Sequence, residues 1–135
     1  MQLSKNFTQK EFIESRFFKG YQNKVNDSFK KNEDILLPNL IKLAEQLQII
    51  RDYTGKSITI NSGYRSPEHN ASIGGVSNSQ HVLGKAADIV IDGMSPADTY
   101  ALIEYLNDKG VIKIGGLGSY NIFTHVDIRE KTARW

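Results

Sequence analysis

Cysteine is absent from this 135-residue sequence. Its absence excludes disulfide scaffolds, thiolate nucleophiles and every Cys-ligated zinc or iron–sulfur site. A metal could be held only by histidine and carboxylate, and there are just three histidines, His69, His81 and His125. Long apolar runs are missing too. The longest, Ile35-Leu36-Leu37 and Ala86-Ala87 with Ile89-Val90-Ile91, fall far below the roughly 20 residues that span a bilayer. The opening MQLSKNFTQKEF has no apolar stretch of the kind a secretory signal needs. The expectation is a protein that accumulates in the cytoplasm and either works there or is released by another route. Nor is there an excess of one charge. Seventeen Lys+Arg against fifteen Asp+Glu leave +2, with no basic stripe to argue for a nucleic-acid partner.

What is present is an ordinary globular composition, 39% hydrophobic and 24% charged, without repeats or low-complexity segments. It predicts one domain over residues 1–135, long enough to bury about two thirds of its unfolded surface without covalent staples. Thr8 and Glu11 form a capping box, with Phe7 and Phe12 as the apolar pair beside it, so a short helix is expected over 8–15. Polar residues 20–31 lack periodicity and read as a covering loop. Leu36, Leu40, Leu43, Leu47 and Ile50 recur every three or four residues, the stripe of an amphipathic core helix over 33–53. Gly55 is placed to stop it. Residues 57–61 alternate as a strand with one buried face. Ser66-Pro67 and Ser95-Pro96 are cap-then-proline starts for helices over 67–72 and 97–108. Between them, the polar loop 77–80 leads to a central buried strand over 86–91. The last third reads as strands at 112–114 and 120–128 joined by a turn at Gly115-Gly116-Leu117-Gly118. This order of elements predicts an α+β fold.

Chemistry concentrates in the second half. His81 and Asp88 are seven residues apart, which no single helix face accommodates as a ligand pair. A loop-to-strand path, turned sharply at Gly84, would let Asp88 point back at His81. Asp88 interrupts an apolar strand, and a buried carboxylate requires a cation. That cation could be a metal, or the side chain of Lys85 or Arg129. In the strand pattern Ile122–Ile128, Phe123, His125 and Asp127 share a face. Two imidazoles and one carboxylate leave a tetrahedral position for water, the composition of a catalytic zinc site. Each residue also has a plainer reading: Arg65 as a surface arginine, His69 as a helix cap or a solvated side chain. The glycines at 115–118 are not a nucleotide loop, because no helix follows them.

The run Ser79-x-His81-x-x-Gly84-x-Ala86-x-Asp88, preceded by Ser62-Gly63-Tyr64-Arg65-Ser66-Pro67 and followed by Phe123-x-His125-Val126-Asp127, resembles the M15 family of zinc D-Ala-D-Ala carboxypeptidases and peptidoglycan peptidases. The likeness extends over about 57–130 and is greatest to the small phage-type members, to which residues 3–8 are also similar. It implies the Hedgehog/DD-peptidase-like fold, a central antiparallel sheet flanked by helices with zinc in a cleft. It further implies one Zn2+ per chain held by His81, Asp88 and His125, with Arg65 steadying the substrate carbonyl and oxyanion and Ser79 beside the cleft. The expected partner is the peptidoglycan stem peptide, cut by a monomer with neither nucleic acid nor membrane involved, and a phage lysis protein would reach that substrate without a signal. Many family members carry a general base two or three residues before the third ligand, where this chain has Phe123 and Ile122. Asp127 is then the nearest carboxylate, as base or as a group that orients an imidazole. Phe123 also leaves open a zinc-containing but inactive wall-binding module.

Overall fold

A computed structural model describes residues 1–76 and 78–135; the part of the expected 77–80 loop that falls on Ser77 lies outside the described residues. Five helices, α1 Gln9–Ile13, α2 Gln22–Lys31, α3 Glu33–Thr54, α4 Pro67–Ser72 and α5 Pro96–Asp108, accompany five strands, β1 Ile58–Ser62, β2 Ala86–Ile91, β3 Gly116–Ser119, β4 Thr124–Asp127 and β5 Ala133–Arg134. The strands form one sheet in the order β1-β2-β4-β3-β5. All neighbours are antiparallel except β5, which runs parallel to β3 along its edge. The fold is α+β, as the sequence predicts. Among the described residues, no helix is long and apolar enough to cross a membrane.

Local chemistry explains most element boundaries. Glu11 accepts hydrogen bonds from the backbone N–H and hydroxyl of Thr8 at 2.9 and 3.1 Å, closing the expected capping box. The side chains of Ser66 and Ser95 accept from His69 and Asp98 N–H at the starts of α4 and α5, each with proline at the first helical position. α3 buries Leu36, Leu40, Leu43, Leu47 and Ile50 and ends at Gly55, whose φ of +66° a side chain would resist.

Two segments differ from the sequence expectation. Residues 22–31 are helix α2, not loop, because Val25 and Phe29, one turn apart, enter the core together and supply burial that polar neighbours conceal. Residues 112–114 are not a strand, whereas the glycines 116 and 118, read as a turn, lie inside β3. Glycine there answers to packing across the sheet and not to chain reversal. A Cβ on Gly116 would collide with the Asp127 carboxylate, and one on Gly118 would stand 2.5 Å from the indole of Trp135.

The pleat separates two functions. Ile58 and Ile60 of β1, Ala87, Ile89 and Ile91 of β2, Leu117 of β3 and Val126 of β4 belong to the hydrophobic core with α3 and α5. On the alternate positions, Ser62, Asp88, His125 and Gly118 pair in one row across β1-β2-β4-β3, and Ala86, Asp127 and Gly116 form the row beside it. On β2 and β4 a strand period of two turns Asp88, His125 and Asp127 away from the core, and a register shift between Ile60 and Ser62 brings Ser62 of β1 into line with Asp88.

If α2 is docked through its two apolar residues, Phe29→Ala lowers the unfolding free energy by about 3–5 kcal/mol. The expected readout is a lower urea midpoint at unchanged slope. Lys30→Ala, on the exposed face, stays within about 0.5 kcal/mol. Equal midpoints for the two variants would contradict the docked helix.

Candidate metal centre

His81, Asp88 and His125 come from three separate elements. His81 sits in the turn 79–84, which is held by Val82 N–H to Ser79 C=O and Gly84 N–H to His81 C=O and capped by the Ser79 hydroxyl accepting His81 N–H at 3.2 Å. Gly84 turns the chain into β2 with φ +71°, as its placement predicts. Asp88 and His125 are direct cross-strand partners on β2 and β4. Each of the three residues offers a ligand atom, and these atoms lie within 4.8 Å of one another in a buried cluster.

Outer hydrogen bonds decide which atoms face inward. His81 Nδ1 lies 2.7 Å from the Gly63 carbonyl, which can only accept, so Nδ1 carries the proton and Nε2 turns toward Asp88 Oδ1 at 3.2 Å. Gly63 is itself forced to be glycine, because a Cβ would strike the Phe12 backbone. His125 Nε2 donates to Asp127 Oδ2 at 2.7 Å, leaving Nδ1 to face Asp88 Oδ1 at 3.2 Å. The inward set is two imidazole nitrogens and one carboxylate oxygen.

Electrostatics match this arrangement. Burial alone would raise the Asp88 carboxyl, but its contacts with the His125 and His81 rings outweigh it and hold the group well below the usual carboxylate range. Burial pushes His81 down and keeps it neutral, against the pull of Asp88. It acts on His125 in the same sense, yet Asp127 and Asp88 together raise that imidazole above its ordinary value. Without a metal, the two carboxylates favour the charged, protonated form of His125 against Asp88. A divalent ion at the same place would replace that proton, so the donor set fits a metal with nitrogen and oxygen preferences.

Asp127 is fully buried behind His125, and its carboxylate is completely engaged. Besides His125, it accepts from Gly116 N–H at 2.9 Å and from Arg129 through the backbone N–H, Nε and Nη2, the last at 2.6 Å. Burial would raise this carboxyl as well, but His125 and Arg129 hold it well below the usual range. It stands on the far side of the imidazole from Asp88, a setting that suits orientation of the ring far better than proton abstraction at the centre.

Arg65, half-buried in the segment between β1 and α4, is the cation that touches Asp88, through Nη2 to Oδ2 at 3.2 Å. Lys85 and Arg129 do not take that place. Its Nε donates to Ser62 Oγ at 3.1 Å and its backbone N–H to His81 C=O, tying β1 to the metal-centre turn. Arg65 and Asp88 line two adjoining cavities, one of about 420 Å3 with Ser79, His81, His125, Tyr120 and Trp135, the other of about 200 Å3. A larger concavity of about 560 Å3 between Lys42, Lys85 and Lys113 contains none of the three candidate ligands. His69 stands apart from the cluster. It is neither a cap nor solvated but 5% exposed, with its ring stacked on Tyr21 at 5.3 Å.

Trp135 escaped the sequence reading. Its indole packs 4.9 Å from the His125 ring and 5.2 Å from the Arg129 guanidinium, and its N–H donates to the Tyr120 hydroxyl at 2.8 Å. The alternation Gly116-x-Gly118 on a strand facing two bulky groups was the available signal.

A family model described as Peptidase M15 matches residues 5–127. Over 84 residues the chain is 39% identical to a zinc D-Ala-D-Ala carboxypeptidase of Streptomyces albus G, a stretch that makes up 60% of this chain and 32% of that protein.

The crowding at Gly116 gives a direct check. Gly116→Ala should displace the Asp127 carboxylate, cost about 1–3 kcal/mol in stability and move the His125 ring resonances in a 1H–15N spectrum. Gly20→Ala, with open space around it, leaves both unchanged. An unshifted His125 in Gly116→Ala would show that Asp127 does not hold the ring.

Proposed function

The chain belongs to the Peptidase M15 family, and from that premise we propose that it is a zinc metallopeptidase that hydrolyses peptide bonds next to D-amino acids in bacterial peptidoglycan. The observation that carries the reading is the convergence of His81 Nε2, Asp88 Oδ1 and His125 Nδ1, each imidazole held in register by an outer acceptor. The zinc D-Ala-D-Ala carboxypeptidase that shares 39% identity supports the choice of metal and substrate class. The chain spans about a third of the length of that relative.

In this proposal the three inward atoms are the zinc ligands, one ion per chain. When bound, zinc supplies Lewis-acid polarisation of a carbonyl and a water whose pKa falls toward about 7. The rest belongs to the chain. Arg65 swings little, being tied to Ser62 and Asp88, and presents its guanidinium to the cleft, where it would donate to the scissile carbonyl and stabilise the negative charge that develops on that oxygen. Ser79 lines the same cleft two residues before His81 and would bind the substrate backbone. Of the two roles open to Asp127, base or ring-orienting group, it takes the second: it accepts the His125 Nε2–H hydrogen bond, fixes the ring and strengthens Nδ1 as an electron-pair donor. Protein produced in the cytoplasm of a phage-infected cell would meet its substrate after the membrane is breached.

The test is turnover of purified muropeptides by zinc-loaded protein. New free amino groups should appear, vanish with a chelator and return with zinc. His125→Ala should lose zinc and activity together. Asp127→Ala should bind zinc about 10–100-fold more weakly and recover when zinc is in excess. Muropeptides left intact by a protein that still sediments with cell wall would overturn the peptidase reading in favour of a wall-binding module. A zinc-saturated Asp127→Ala that stays about 10²–10⁴-fold slow would restore the base role.

A further inference from the structure

The smaller cavity beside the metal centre has no part in the chemistry described so far. It opens onto that centre through Arg65 and Asp88, and its volume of about 200 Å3 is on the scale of one amino-acid side chain. Its walls include Phe17, Phe18, Ile122 and Phe123, of which Phe17 and Ile122 are 67% and 74% exposed. Solvated apolar side chains gathered at the mouth of a cavity are a common mark of a binding site.

The ring of His69 lines the same cavity. Although His69 is only 5% exposed, neither of its ring nitrogens has a hydrogen-bond partner among the described residues. Phe18 and Tyr21 hold the ring from two sides at 5.1 and 5.3 Å, so it is fixed without being satisfied. An orphaned buried donor and acceptor costs on the order of 1–3 kcal/mol. Nothing in the fold requires an imidazole there, since α4 is capped by Ser66 and core packing needs only a ring. Burial, with the positive charge of Arg65 beside it, keeps His69 neutral, so one nitrogen donates and the other accepts.

We infer that this cavity is a side-chain subsite of the peptidase and that it takes an aliphatic side chain ending in a neutral carboxamide, with His69 as its hydrogen-bond partner. The charged groups on its wall balance, Glu14 and Asp88 against Arg16 and Arg65, so the cavity offers no net charge to offset the desolvation of an ionic end group, which leaves a neutral one favoured. A carboxamide both donates and accepts, which is what a neutral imidazole lacks here. Phe18, 45% exposed and stacked on His69, is the side chain that would shift to admit it. The substrate assignment rests on the peptidase reading, whereas the occupancy of the cavity does not.

The experiment uses zinc-loaded protein and four short peptides ending in D-alanine, identical except for glutamine, glutamate, lysine or norleucine at the residue before the scissile bond. The readouts are the ring 15N resonances of His69 on peptide addition and kcat/KM for each peptide. With only three histidines in the chain, the assignment is direct. The glutamine peptide should move the His69 resonances and be preferred by about tenfold or more over glutamate and lysine. His69→Phe, which keeps the ring packing and removes the unpaired nitrogens, should lose that preference at a melting temperature no lower than that of the unsubstituted protein, and His69→Gln should retain part of the preference. His69 resonances that none of the four peptides moves, or a preference that survives in His69→Phe, would overturn the subsite. A His69 shift without cleavage would sustain the subsite and count against the peptidase, and cleavage without a shift would do the reverse.

Discussion

Asp88 is a carboxylate in the middle of a buried apolar strand, and the elements around it are disposed to compensate its charge. A buried ion left without partners is among the costliest defects a small domain can carry. Here the segment that follows β1 carries Arg65, the turn after α4 delivers His81, and β4 pairs His125 directly opposite, each about 3.2 Å from a carboxylate oxygen. The same carboxylate sets the protonation pattern of the centre. With Asp127 it favours the charged form of His125 without a metal, and it supplies the anionic donor that a divalent ion requires. Stability and metal chemistry thus rest on one side chain.

Space around that side chain is controlled by residues that lack one. Gly63 lets the β1 end pass against the Phe12 backbone, and its carbonyl then fixes the His81 tautomer. Gly116 admits the Asp127 carboxylate behind His125, and Gly118 admits the Trp135 indole beside it. The parallel pairing of β5 with β3 brings Trp135 to that position, so the last strand closes the cleft wall as well as the sheet edge. Orientation of the two imidazoles is accordingly a property of backbone approach, which tolerates little substitution.

Elements with a strong local code were legible in the sequence: the leucine stripe of α3, the serine-proline starts of α4 and α5, and the β-branched alternation of β1. The row of Asp88, His125 and Asp127 followed from period two and from an anomalous charge in an apolar run. α2 was hidden because only Val25 and Phe29 are apolar in it, and its helix depends on tertiary docking. β3 was hidden because its glycines answer to partners eleven and seventeen residues away in sequence, Asp127 and Trp135. The outer face of the centre was equally opaque: that Arg65, not Lys85 or Arg129, neutralises Asp88 depends on how β1 sits against β2. The burial of His69 depends on the Phe18–Tyr21 segment folding over it, which no spacing reveals.

The central claim is that His81, Asp88 and His125 hold one zinc ion through two imidazoles and a carboxylate. Anomalous diffraction at the zinc edge from crystals of zinc-loaded protein tests it most directly. The account predicts a single strong peak between the three side chains, with bonds of about 2.0–2.2 Å to His81 Nε2, His125 Nδ1 and Asp88. An empty centre, or zinc held elsewhere while His125 Nδ1 keeps its contact with Asp88, would contradict it.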